Sequence, residues 1–311
     1  MAVANESRRF ALPTLTIKHR EAVAAYLFVA PWILGLLMFA AYPVGASLVL
    51  SFTEWDLLTE IKYVGAENYV KMFTNDRYFP VTMGNTAYYT FIGVPLHTLV
   101  ALLLALPLTS KLRGIRFFRT AWYVPSVTPA VAAAVLWILI YHPEFGMANA
   151  VLELVGIPPQ RWIFSQTLAK PSFILMSLWS VGGQMVIFIA GLQGVPQQLY
   201  EAASIDGAGR WGRFWNVTLP LISPVTFFNL VIGVIASFQI FTAAYIMTRG
   251  GPANQTLFFV RQLYRNAFEY LKFGYASAMA WVLFVIILFF TGLQFLGARR
   301  WVYYEAKAEE N

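Results

Sequence analysis

Apolar residues along this chain are gathered into long runs separated by short polar connections. Six stretches contain no Lys, Arg, Asp or Glu: 24–52, 86–109, 120–141, 172–195, 221–248 and 277–298. Each holds 22–29 residues, and about 20 helical residues cross the hydrocarbon core of a bilayer. Buried helices of a soluble core would carry charge somewhere over such lengths. Strands of a membrane barrel would alternate over about ten residues, and no such pattern repeats. The pattern therefore predicts an all-α, polytopic membrane protein with six transmembrane helices. The implied organisation is an N-terminal segment 1–23, a six-span domain 24–298 and a tail 299–311.

Composition agrees with this reading. The 311 residues are 59% hydrophobic and 12% charged, against about 25% charged in a soluble domain. There is no cysteine, so neither a disulfide framework nor a thiol metal site is expected. The first run is too long for a cleaved signal and reads as a retained span. The net charge of +7 comes from basic residues flanking spans and does not point to nucleic acid.

Charge placement sets the expected orientation. Six spans put both termini on one side. The head, the tail and the loops 110–119 and 196–220 hold 13 Lys and Arg residues, against 9 in the three longer loops of the other side. Basic residues stay on the cytoplasmic side, so both termini are expected there, in a multi-pass plasma (inner) membrane protein. Loop 110–119, with Lys111, Arg113, Arg116 and Arg119, is the strongest topology signal. Trp122, Tyr123, Trp137, Tyr141, Trp281, Trp301, Tyr303 and Tyr304 lie near run ends, as interfacial aromatics do. The outer loops are too short for folded domains, but 67–73 looks helical and the loops could present a docking surface.

Loop 196–220 is the most informative segment. Pro196 and Gly207 bracket a predicted short helix, Pro at its first position and Gly past its end. Three turns are marginal alone in water, so something must pack on it. Leu199, Ala202, Ala203 and Ile205 offer an apolar, small-residue surface, with Glu201 near the middle. A lipid-lying helix would carry Lys or Arg. Here 196–209 has none, and Glu201 and Asp206 would be repelled by anionic lipid. Docking to a protein is the better reading.

The spaced set Glu201-Ala202-Ala203, Gly207, Val217 and Leu219-Pro220 resembles the EAA signature of permease subunits of binding-protein-dependent ABC importers. Val217 stands where the family prefers Ile. Asp206-Gly207-Ala208 resembles the same family, and Thr248-Arg249-Gly250-Gly251-Pro252 with Thr256 is similar to its sugar and glycerol-phosphate branch, maltose F-type rather than G-type. The resemblance covers essentially the whole chain. It implies the type I importer fold, with loop 196–220 as a coupling helix seated in a separate ATPase. Matched by position, Glu201 would pair with a basic group, Ala202 and Ala203 would line the contact, Asp206 and Gly207 would end the helix, and Leu219-Pro220 would start span five. It further implies a second related permease in a heterodimer, two ATPase subunits holding ATP and Mg, and an extracytoplasmic solute-binding protein.

The chain itself shows no catalytic chemistry. No Gly-Lys pair occurs, so the phosphate-binding loop is missing, and G-x-S-x-G is absent. His19, His97 and His142 lie far apart, with no metal-ligand spacing. His97, within span two, has no carboxylate partner in any span and reads as a packed, structural residue. The lack of intramembrane carboxylates also weighs against a proton-driven carrier. A stand-alone six-span secondary transporter or channel is the alternative, and a membrane-bound enzyme a more distant one.

A solute path is expected on two helical faces. In span four, Ser177, Ser180 and Gln184 share a face, with Trp179 and Gly183 beside it. In span five, Asn229, Gly233, Ser237, Phe241 and Tyr245 recur every four residues, and Gln239 points away. Hydroxyls, amides and aromatic rings suit a neutral, sugar-like solute, although helix–helix packing uses the same residue types. Pro125 and Pro129 flank Ser126 and Thr128 in span three and permit a kink there.

Overall fold

A computed structural model describes residues 17–110 and 113–303. Arg8, Arg9, Lys111, Tyr304 and the end of the tail lie outside the described residues. The chain divides into two units, the first ending at Leu50 and the second beginning at Ser51. In the first, α1 (Ile17–Leu36) passes through a π-helical turn at Leu37–Ala41 into α2 (Tyr42–Leu50). The run Glu21–Leu50 is one apolar helix long enough to span a membrane.

The second unit opens with a two-stranded ribbon, β1 (Thr53–Glu54) and β2 (Lys62–Tyr63), in which Glu54 stands opposite Lys62. In its turn, the hydroxyl and amide of Thr59, with the Leu58 amide, hold the Asp56 carboxyl below the usual carboxylate range. The amphipathic α3 (Glu67–Thr74) follows, as the 67–73 pattern predicts. Asn68 donates from Nδ2 to the Ser51 and Thr53 carbonyls and fastens α3 to the ribbon.

Helix α4 (Tyr78–Leu108) is the second span. It begins eight residues before the charge-free run because Asp76 accepts the Tyr78 amide at 2.7 Å, a carboxylate at a helix N-terminus. Span three is not straight. Helix α5 (Ile115–Tyr123) leads through a 3-10 turn, Val124–Val127, to α6 (Ala130–Ile140), and the two halves meet at 101°. Pro129 bars Thr128 from helical backbone, and Thr128 is extended. The kink permitted by the prolines is thus a right-angled bend. Trp122 and Tyr123, expected at a span edge, sit at that bend.

Helix α7 (Met147–Leu154) lies in the next connection. Span four is also bent, by 46° between α8 (Ala169–Leu178) and α9 (Gly182–Gln193). Its run gives no hint of this, having no proline near the break. The cause is tertiary: a Cβ on Gly182 would collide with the Trp122 carbonyl, so the two bends lock together. After α10 (Gln197–Ile205) and α11 (Arg210–Arg213), a π-helical turn, Phe214–Thr218, runs into α12 (Leu219–Leu221). Span five is α13 (Ser223–Phe238), broken at 239–241, and α14 (Thr242–Met247). Helix α15 (Phe259–Tyr264) precedes span six, α16 (Phe273–Trp301). Four long helices and two bent pairs account for the six expected spans.

Helix α4 is central. Its Ala101, Leu102 and Ala105 pack with Met185, Phe188 and Ile189 of α9, while Val94 joins Val234 and Phe238 of α13 and Met279 and Leu283 of α16. Small residues set the approach, since lipid tails provide no hydrophobic drive between helices. A Cβ on Gly233 would lie 2.8 Å from Val94, and one on Gly191 2.7 Å from Val225.

Gly182→Ala should therefore destabilise the fold by about 1–3 kcal/mol, seen as a lower melting temperature in detergent. Gly183→Ala, whose Cβ would meet nothing within 4 Å, should leave melting unchanged.

Candidate translocation cavity and docking helix

The breaks in spans three, four and five face a common space. One cavity of about 260 Å³ lies between α4, spans four and five, and a second of about 370 Å³ extends towards the bend of span three. Tyr89, Ser177, Ser180 and Ile240 line both, so the two are adjacent. Ser126 and Thr128 from the bend, and Phe241 from the break in span five, line the second. Broken helices at membrane depth are tolerated where they border such cavities.

Most of the expected path residues meet here. Ser177, Ser180, Gln184, Gly233 and Ser237 line the first cavity, and Trp179 and Phe241 the second. Three of the ten do not. Gly183 lines neither cavity. Asn229 is buried behind the wall, where its carbonyl accepts a 3.3 Å bond from Gln184 Nε2. Tyr245 lies beyond the cavity, stacked on Phe241 at 5.4 Å. Gln239 is exposed and bonds its own helix, at the Ile235 carbonyl.

Span two supplies what the sequence reading left out: Tyr89, Gly93 and His97. His97, read as a packing residue, lies half-buried on the wall. Gln184 donates to the Asn229 carbonyl, so its Oε1 is left to accept from His97 Nδ1 at 3.0 Å. This chain of bonds joins spans two, four and five. Thr90 is tied in as well, accepting from Ser237 Oγ at 2.9 Å. The signal was available, since His97 is the one ionisable imidazole in any charge-free run. Among the described residues, no group of His, Cys, Asp and Glu is placed to hold a metal ion. The wall offers hydroxyls, an amide, an imidazole and aromatic faces, suited to hydrogen-bonding a neutral polar solute.

A second feature lies at the end of the bundle where spans four and five are joined. Helix α10 follows Pro196, which occupies the position before the helix rather than its first turn. Gly207 closes it at φ +79°, with the Ala208 amide donating to the Ala203 carbonyl at 2.8 Å, a left-handed cap that favours glycine. Glu201 and Ala202 are exposed, and Ile205 is 88% exposed. Among the described residues Glu201 makes no ion pair. The other side of the helix is braced: Tyr200 and Thr218 hydroxyls bond at 3.0 Å, and Arg213 donates to Ser204 Oγ at 3.1 Å. Both braces reach the segment that runs into span five. Leu219 and Pro220 lie in the single helical turn α12, just before α13 opens span five at Ser223.

Bent spans around a shared cavity, with a bare helix braced at one end, are the arrangement of a membrane transport protein. The chain belongs to the family of inner membrane components of binding-protein-dependent transport systems, whose profile matches residues 85–303. It is 42% identical to the probable ABC transporter permease protein YesP of Bacillus subtilis (strain 168), over 93% of this chain and 95% of that one. It is 31% identical to the trehalose/maltose transport system permease protein MalF of Thermococcus litoralis, over 89% and 94%. Its fold matches a chain in the crystal structure of a bacterial alginate ABC transporter complexed with an alginate pentasaccharide-bound periplasmic protein, at TM-score 0.80 and 21% identity, covering 90% and 96%. The protein is thus an inner-membrane, multi-pass ABC importer permease of type I fold, and a stand-alone carrier is not favoured.

Gln184→Leu would leave His97 Nδ1 without its partner and remove the second bond to the Asn229 carbonyl, which keeps its own helical one. Losing buried partners costs about 1–3 kcal/mol. The variant should melt at lower temperature, while Gln239→Leu, on an exposed face, should not.

Proposed function

We propose that this chain is one permease of a heterodimer that imports a sugar or sugar-like solute, driven by ATP hydrolysis on separate subunits. The observation that carries the reading is α10: a short helix with Glu201, Ala202 and Ile205 bare on one side and fastened to the root of span five on the other. Such a segment passes a push directly to the cavity wall. Glu201, Ala202, Ala203, Asp206, Gly207, Leu219 and Pro220 form the coupling unit. The partners are a second related permease, two ATPase subunits binding ATP and Mg, and an extracytoplasmic solute-binding protein.

Charge placement supports a cytoplasmic location for segment 1–23, for the tail 299–311 and for loop 196–220, with the span domain 24–298 in the membrane. The solute-binding protein then delivers to the connections at 51–77, 141–168 and 248–272. The uncharged, hydroxyl-rich and aromatic cavity supports a neutral sugar, as does the similarity to a permease named for trehalose and maltose. Ser177, Trp179, Ser180, Gln184, Gly233, Ser237 and Phe241 contact the solute, and Gly183, Asn229 and Tyr245 shape the path. Closure of the ATPase pair moves α10, and the spans rock to open the cavity inward.

Glu201→Arg should abolish uptake and co-purification of the ATPase while leaving membrane insertion intact. Normal co-purification with that variant would contradict the docking role. Ser180→Leu and Ser237→Leu should impair transport or uncouple ATP use without disturbing assembly. Full uptake by both would remove the proposed path.

A further inference from the structure

The connection between spans four and five changes the sign of its charge at Gly209. Residues 196–209 hold Glu201 and Asp206 and no Lys or Arg. Arg210, Trp211, Arg213, Phe214 and Trp215 follow, and no Asp or Glu occurs again before Glu269. Anionic lipid that repels α10 attracts the segment after it. That segment is helical: α11 passes through the π-helical turn Phe214–Thr218 into α12, and the chain then enters span five.

Trp211 and Trp215 are four residues apart, share a face, and are 75% and 58% exposed. Phe214 stands edge-on to both, at 6.3 and 5.4 Å between ring centroids, so the two bare indoles belong to one packed group. Arg210 and Arg213, three apart, lie on a different face. Among the described residues neither makes an ion pair. Arg210 is exposed, and Arg213 donates through one nitrogen to Ser204 of α10 at 3.1 Å.

Basic groups on one face and large rings on another are the pattern of a helix lying in the bilayer interface. A helix that leads straight into a span starts at headgroup depth, where indoles are enriched. The guanidinium fork matches phosphate oxygens in two bonds at once. We propose that 210–216 is a binding surface for an anionic phospholipid, with Arg210 and Arg213 on the headgroup phosphate and Trp211 and Trp215 against the upper acyl chains. The bound lipid then lies one side chain away from α10, through Arg213 and Ser204. The site requires only that span five is in a membrane, and it does not depend on which solute is carried. Diffuse attraction of basic loops to a charged surface would involve every arginine alike, whereas this site needs Arg210 in particular.

The chain has no cysteine, so Asn216→Cys, at an exposed position, carries one polarity-sensitive dye beside the surface. The labelled full-length chain is placed in nanodiscs of phosphatidylcholine with a rising share of phosphatidylglycerol. Dye emission should move to the blue as that share rises, and less so in high salt. Arg210→Gln should raise the phosphatidylglycerol share needed for half the shift by about fivefold, the effect of one arginine at a charged surface. Arg210→Lys, which keeps the charge, should recover most of the response. Arg161→Gln, an exposed arginine of another connection, should change nothing. No shift in the parent chain, an Arg210→Gln titration equal to the parent's, or an equal loss in Arg161→Gln would overturn the site. Shielding of the dye from a water-soluble quencher by added ATPase subunits in phosphatidylcholine alone would give this face to a protein and overturn it too.

Discussion

A backbone group without a hydrogen-bond partner costs several kcal/mol in hydrocarbon, and this constraint governs where the chain is allowed to be irregular. Spans three, four and five each depart from helix, at 124–129, 179–181 and 239–241. All three departures open onto the cavities, that of span three onto the second alone, and at that bend Ser126 and Thr128 donate to the Tyr123 and Val124 carbonyls. Span six, which lines neither cavity, runs unbroken from Phe273 to Trp301. The cavity and the breaks are therefore one feature. The helices that interrupt themselves do so around one shared space.

The architecture was largely legible in the sequence because charge exclusion from lipid acts on every residue of a span. The six charge-free runs, the helix at 67–73 and the helix closed by Gly207 all have local causes. Bends were legible only where the cause was local too. Pro129 announces the bend of span three, whereas the break in span four depends on Gly182 meeting the Trp122 carbonyl, sixty residues away in sequence. Helix length was understated for α4 because absence of charge marks immersion in lipid, not helicity, and Asp76 begins the helix within the polar connection.

The site was legible by halves. The faces of spans four and five carry a periodic row of serine, glycine and amide residues, and seven of the ten expected residues line the cavities. The contribution of span two was missed although Tyr89, Gly93 and His97 also recur every four residues, because a tyrosine, a glycine and an imidazole do not make a row of like polar groups. His97 took on meaning only when Gln184 was placed against it. Periodicity along one helix locates a face, but it says nothing about what a neighbouring helix brings to that face.

One further consequence follows from how α4 is tied at its first turns. Asn85 Nδ2 donates to the carbonyls of Asn254 and Leu257, and Thr86 Oγ1 accepts the Phe259 amide. Three turns further along, the same helix carries His97. The connection after span five therefore hangs from the very stave that forms the cavity wall, with no flexible linker between them. Whatever pulls on that connection therefore pulls on α4, and with it on the wall that carries His97.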